Sequence, residues 1–277
     1  MVNILEAKKI TDTFYAIDER CSKQMVNAMY LVLGEKKAAL IDTGLGLTGN
    51  LDSFVRSYTS LPVIVLSTHG HPDHIGANSL FTNIYLSNRD ANLLPWALSK
   101  KARLGDLPVM TDGNEELCKY AETHAVGENT FPYKNIEDGD RFDLGGILLE
   151  AIAVPGHTSG SMCFLNRNDQ YCLTGDAVTP YPWMWLDHST PLAVYLNSLN
   201  NFKQRVKTDT QLYCGHNIEP LQSSIPDDLI SAVKEIISGK TDRDTVFKVP
   251  YKIDVQKMKV LQHDFGGAHI IYNALKI

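Results

Sequence analysis

Between Asp12 and Gly34 apolar and polar positions alternate, first in DTFYAIDE and then in MVNAMYLVLG, with aromatic and branched residues enriched. A period of two turns one face of an extended chain towards a core, so both stretches predict strands. EKKAALIDTG turns at its charges and runs apolar again, ending at Asp42-Thr43-Gly44, where a glycine suits a tight exit from a strand. The pattern then changes. TGNLDSFVRSY predicts a helix, VIVLST a buried strand, and HPDHIGANSLF a second helix with Pro72 in its first turn. IYLSN followed by RDANLLPWALSKKA repeats the strand-then-helix step, which makes this part of the chain a layered arrangement of strands and helices.

Residues 102–135 hold Gly, Pro, Asn and Asp with little periodicity, and read as an insertion or an active-site cover. Strands resume at FDLGGILLEAIAVP, SMCFLN and QYCLTGDAV, the last two joined by the turn sequence RNDQ. HSTPLAVYLNSLNNFKQRV predicts a helix with Ser189 or Thr190 as N-cap and one apolar face of Leu192, Tyr195, Leu196, Leu199 and Phe202. QLYCGH reads as a strand, and IPDDLISAVKEIISG as an amphipathic helix with acids at its start and Gly239 at its end. The tail from about 246 returns to strand patterning, ending in GGAHIIYN. No repeat, low-complexity segment or linker interrupts the 277 residues, so a single domain over 1–277 is expected.

Composition changes this picture little. A hydrophobic share of 44% and a charged share of 21% suit a globular protein. The net charge of −6 argues against a nucleic-acid surface, which needs clustered Lys and Arg. Apolar runs such as LPVIVLS are too short to span a bilayer, and MVNILEAKKI carries charges where an export signal needs an apolar stretch. A cytoplasmic protein without membrane or nucleic-acid partners is the expectation, acting on a small molecule. The five cysteines include no CxxC pair, so reduced thiols are expected rather than a disulfide framework.

The candidate chemistry sits in THGHPDHIG, residues 68–76, which follows a buried strand and takes three of the nine histidines. His69 and His71, two apart in extended chain, point the same way, while Asp73 and His74 fall in the first turn of the next helix. Imidazole nitrogens with a carboxylate suit zinc, iron or manganese. A chance surface cluster is the plain alternative, and a metal needs closure from elsewhere in the chain. His157 in VPGHTSGS, Asp176 in LTGDAV and His216 in YCGHN each follow a predicted strand and sit beside a glycine. Singly each has a dull explanation; together they make a series of strand-end ligands.

With IDTG, THGHPDHIG, DGDRFDLGG, VPGHTSGS, LTGDAV and CGHN in this order over residues 41–217, the chain resembles the metallo-β-lactamase superfamily. Ser159 departs from the proline that many relatives carry after GHT. The resemblance implies an α+β fold, a four-layer αββα sandwich with the site at one edge of two sheets. It also implies two divalent metal ions, zinc first, with iron or manganese also suited. His69, His71 and His157 would hold one ion, Asp73, His74 and His216 the other, and Asp176 would bridge them. Asp42 would match a non-ligand aspartate that orients a ligand loop; capping of backbone amides is its plainer role.

Two metals sharing a water would lower its pKa from about 16 to near neutral, supplying a hydroxide nucleophile, with Asp73 placed to orient that water and pass on its proton. The bridging Asp176 points towards thioesterases of the hydroxyacylglutathione hydrolase kind, lactonases, phosphodiesterases and iron-dependent sulfur dioxygenases, and away from true β-lactamases. A hydrolase of an ester-type bond is therefore expected. A mononuclear iron persulfide dioxygenase and a phosphodiesterase are the alternatives. Tyr181, Trp183, Met184 and Trp185, just past Asp176, read either as an apolar wall for substrate or as packing for the following helix. His188 could contact substrate, although capping of that helix is the simpler reading.

Overall fold

The computed structural model describes residues 4–22, 25–249 and 258–277. The part of the predicted strand tail that falls on 250–257 lies outside the described residues. Seven strands in chain order build the first sheet: β1 (Leu5–Lys9), β2 (Phe14–Arg20), β3 (Val26–Leu33), β4 (Ala38–Ile41), β5 (Val63–Leu66), β6 (Ile84–Leu86) and β7 (Lys134–Asn135). The pairs β1–β2, β2–β3 and β3–β4 are antiparallel, whereas β4, β5, β6 and β7 run parallel. Next along the chain come β8 (Arg141–Asp143), β9 (Leu148–Ala153), β10 (Met162–Asn166), β11 (Tyr171–Gly175), β12 (Trp183–Met184) and β13 (Gln211–Cys214). The second sheet has the order β13-β11-β10-β9-β8. β14 (Thr245–Val246), β15 (Val260–Phe265) and β16 (Ala268–Asn273) join β12 in a third sheet of order β12-β16-β15-β14.

The inner faces of the first two sheets meet in a core of alternating residues, among them Phe14, Tyr30 and Ile41 from one and Leu149, Phe164 and Leu173 from the other. Phe14 stacks on Tyr171 with ring centroids 4.5 Å apart, which pins the two sheets together. On the outer face of the first sheet lies α1 (Leu51–Arg56), whose Leu51 and Val55 pack on Leu31, Leu40 and Val65. The short α2 (Pro72–Ile75) starts at its proline, as predicted. The stretch 89–102 is not one helix. A 3₁₀ turn, Asn88–Leu93, leads to α3 (Leu94–Ala97) and then α4 (Lys100–Leu104), each short. Pro95 opens α3, and the Ser99 hydroxyl accepts from the Ala102 amide to start α4.

From 102 to 124 short helices stand where the sequence showed little periodicity. α5 (Leu107–Met110) and α6 (Glu115–His124) bury Leu107, Leu117 and Ala121 against Leu45 and Leu47. Arg103 is buried and donates to the carbonyls of Leu45 and Gly76, tying this segment to the loops behind the ligand helix. Gly105, Pro108 and Gly113 divide the first part of this stretch into runs too brief to show a helical period.

α7 (Leu192–Arg205) and α8 (Ile225–Ile237) cover the outer face of the second sheet through Tyr195, Leu199, Phe202, Leu229 and Val233. The layers therefore run helix, sheet, sheet, helix, the αββα sandwich. The predicted N-cap of α7 is corrected. Pro191 takes that position without a side-chain cap, and Ser189 instead donates to the His157 carbonyl at 2.9 Å. Among the described residues no helix is long and apolar enough to cross a membrane, and all five cysteines are unbridged.

Candidate metal centre

Every candidate ligand leaves a strand at its C-terminal end. Asp42 follows β4, the THGHPDHIG segment follows β5, His157 follows β9, Asp176 follows β11, and His216 follows β13. β4 and β5 are parallel, and β9, β11 and β13 share one direction within their sheet, so these ends collect on one edge of the sandwich. The sheets are stitched together there. Met162 donates its amide to Thr68 O at 2.8 Å, and Ala28 does the same to Gly215 O at 2.8 Å.

The seven predicted ligands come together as two groups that share a centre. Ligand atoms of His69, His71 and His157 lie within 4.8 Å of one another, as do those of Asp73, His74 and His216. Asp176 stands between them. Its Oδ2 is 3.6 Å from His157 Nε2 and 3.1 Å from His216 Nε2, and its Oδ1 is 3.6 Å from His74 Nε2. His69, His74 and Asp176 also lie within 4.8 Å of one another, so the structure brings all seven of these side chains to one place.

Outer contacts orient the rings. His74 Nδ1 donates to Asp42 Oδ2 at 2.7 Å, His157 Nδ1 to Trp183 O at 2.9 Å, and His216 Nδ1 to Val26 O at 3.0 Å. The Thr68 hydroxyl donates to Asp42 and lies 3.0 Å from His69 Nδ1. With one nitrogen committed outward, each ring presents the other to the centre. Asp42 also accepts the Thr68 amide at 2.7 Å, so amide capping and ring orientation are both its work. It holds this position in the left-handed region, at φ 61°, which aspartate tolerates better than most residues.

Whether a cation fits here is tested by the inward atoms. His69 Nε2, His74 Nε2 and Asp176 Oδ1 are buried without any hydrogen-bond partner. An unpaired buried polar atom is costly, and three aimed at one volume fit a shared cation. Gly215 keeps that volume open, since a methyl group there would come within 2.6 Å of both Asp176 Oδ1 and the His74 ring.

The two trios differ electrically. Burial pushes the pKa values of His69 and His71 well below the ordinary imidazole range and lowers that of His157. Burial opposes charge on His74 and His216 as well, but there Asp176 and Asp73 outweigh it. His74 is held well above its ordinary value, and His216 is raised to about 9. The Asp176 carboxyl, buried yet faced by His216 and His74, is pushed well below the usual carboxylate range.

Sequence reasoning missed Asp90. It is fully buried and accepts the Gly70 amide at 2.9 Å, the Gly160 amide at 2.8 Å and the Thr158 hydroxyl at 2.7 Å. One carboxylate thus clamps the loop of His69 and His71 to the loop of His157. Nothing in SNRDANL distinguished it from an ordinary acid at a helix start.

The proposed substrate wall needs correction. Trp185 has no exposed surface; it packs with Val260 and Ile271 in a core beneath the third sheet, and Met184 is buried too. Met184 lies in β12, whose pairing with β16 the sequence pattern did not reveal, and Trp185 follows that strand directly. Trp183 is half-buried and serves the centre through its carbonyl. Tyr181 is exposed and stacks on His269, 4.6 Å between ring centroids. The exposed ring beside the centre is Trp96, 5.7 Å from His71 and 46% exposed.

Comparison with known proteins gives the class first. The sequence profile of the metallo-beta-lactamase superfamily matches residues 23–242, and the chain belongs to that superfamily. Among particular proteins, it is similar to an acyl-coenzyme A thioesterase, MBLAC2 of Bos taurus, with 26% identity over 62% of this chain. The match spans 65% of the length of that thioesterase. A hydroxyacylglutathione hydrolase of Prochlorococcus marinus is 25% identical, over 78% of each chain. Solved structures share the fold. A metallo-beta-lactamase from Pontibacter korlensis superposes with a TM-score of 0.59 at 17% identity, covering 83% of this chain and 99% of its own. TTHA1623 in a di-iron-bound form gives a TM-score of 0.53 at 22% identity, covering 73% of this chain and 93% of its own.

Proposed function

We propose that the protein is a metal-dependent hydrolase of an ester-type bond in a small organic molecule, with thioesters as the first class to test and lactones next. His69, His71 and His157 would hold one divalent cation and Asp73, His74 and His216 a second, with Asp176 between them. Zinc is the first choice, and iron or manganese suits the same donors. The observation that carries this reading is the convergence of His69 Nε2, His74 Nε2 and Asp176 Oδ1, all buried and unpaired, on one volume. Similarity to a thioesterase and to a hydroxyacylglutathione hydrolase supports the thioester class.

Bound metal would supply Lewis acidity, lowering the pKa of water and polarising the carbonyl under attack. The chain's own part is orientation and proton handling. Asp42, Trp183 O and Val26 O hold ring tautomers in place. Asp73, whose side chain is 23% exposed and 3.6 Å from His216 Nε2, is the carboxylate placed to meet substrate, orient the attacking water and carry its proton to the leaving group. Trp96, exposed beside His71, would offer apolar surface to an acyl chain.

The test is metal analysis of the purified protein, then turnover on thioester, lactone and bis-aryl phosphate substrates. Two ions per chain with thioester or lactone hydrolysis is the expected result. Turnover of the phosphate diester alone, or a single iron with oxygen uptake on a persulfide, would overturn it. Asp73→Asn is expected to lower kcat by about 10²–10⁴-fold; full turnover with full metal would remove Asp73 from its role.

A further inference from the structure

We propose that His188 is a positioning residue for His71, holding it in the tautomer whose Nδ1 faces the cation, and that the third sheet serves to bring His188 there. The proposal rests on the metal-site reading above. His71 presents Nδ1 to the centre, 2.8 Å from His157 Nε2. A neutral imidazole that offers Nδ1 as a ligand carries its proton on Nε2, and that N–H is buried and requires an acceptor. Four of the five ring ligands have an oxygen beside the outer nitrogen: Thr68 Oγ1, Asp42, Trp183 O and Val26 O. His71 has a nitrogen there instead, His188 Nε2 at 2.6 Å.

The two rings cross at 75° with centroids 4.8 Å apart, and Trp96 packs on both, 5.7 Å from each, which limits their rotation. His188 reaches this place because its loop is held on both sides. Ser189 donates to the His157 carbonyl, and β12, just before the loop, is paired with β16. From the same C-terminal segment Lys276 Nζ donates to Asp187 O at 2.6 Å. The third sheet therefore grips the loop whose next residue meets a ligand.

The experiment uses the full chain stripped of metal and titrated with zinc in competition with a chromophoric chelator. Two substitutions keep the side chain's bulk: His188→Phe removes the acceptor, and His188→Gln replaces it with an amide oxygen. His188→Phe is expected to weaken one of the two zinc-binding steps by about 10–100-fold while sparing the other. His188→Gln is expected to recover most of that loss. Circular dichroism of the metal-free variants separates loss of the fold from loss of the site. If His188→Phe bound both ions as tightly as the unaltered chain, or if Gln lost as much as Phe, this inference would fall and the metal site would stand. An unaltered chain that took up no zinc would overturn both.

Discussion

A single carboxylate illustrates how much of this centre depends on residues that touch no ligand ring. Asp90 receives three hydrogen bonds from two ligand loops, and no other described side chain joins those loops through their backbone amides. Asp90→Ala would leave the amides of Gly70 and Gly160 buried and unpaired, at about 1–3 kcal/mol each. A fall in stability of about 3 kcal/mol, read by urea denaturation, is expected together with a lower metal-to-protein ratio. Retention of the metal in a destabilised variant would show that Asp90 supports the fold rather than the site. His71 and Asp42 carry the same lesson, since each acts through what lies on its outer side. The inward-facing atoms set what can bind, and the outward contacts set which atom faces inward.

At the scale of elements, the second sheet is locked to α7 by a charged cluster rather than by apolar packing alone. Glu150 on β9 accepts from Arg167 after β10 and from Arg205 at the end of α7. Hydrogen bonds from Arg167, aided by those from Arg205, outweigh its partial burial and hold its carboxyl at about 2, against an ordinary 4.5. A depressed folded-state pKa contributes stability that is present above the ordinary value and lost as the pH falls through about 2. Glu150→Gln is accordingly expected to cost on the order of 1 kcal/mol at neutral pH. It should also flatten the decline in thermal midpoint between pH about 4.5 and about 2. Identical acid profiles for the two proteins would remove the cluster from the account of stability.

For the whole molecule, the metal reading makes a prediction about stability as well as activity. A ligand that binds only the folded state stabilises it by mass action, and structural zinc contributes strongly. Removal of metal with a chelator is expected to lower the thermal midpoint by several degrees, roughly 3 kcal/mol at a hundredfold excess over Kd, and added zinc should restore it. A midpoint indifferent to both would mean that the two trios are held apart by the scaffold without any cation.

Sequence by itself determined the candidate ligands and, through the family resemblance, the layer plan. Metal ligands must be particular residue types next to sharp strand exits, and two-residue alternation marks strands long enough to repeat, as in β2 and β3. Elements too short to repeat left no such mark. β12, with two residues, and the brief helices between 100 and 124 became visible only in the folded chain. Tertiary structure alone decided what long-range packing decides: that Trp185, directly after β12, is buried against Val260 and Ile271, that Asp90 ties a loop 20 residues before it to one 68 to 70 residues after it, and that His188 meets His71 across 117 positions. Such contacts arise from the packing of distant segments, and no local pattern along the chain records them.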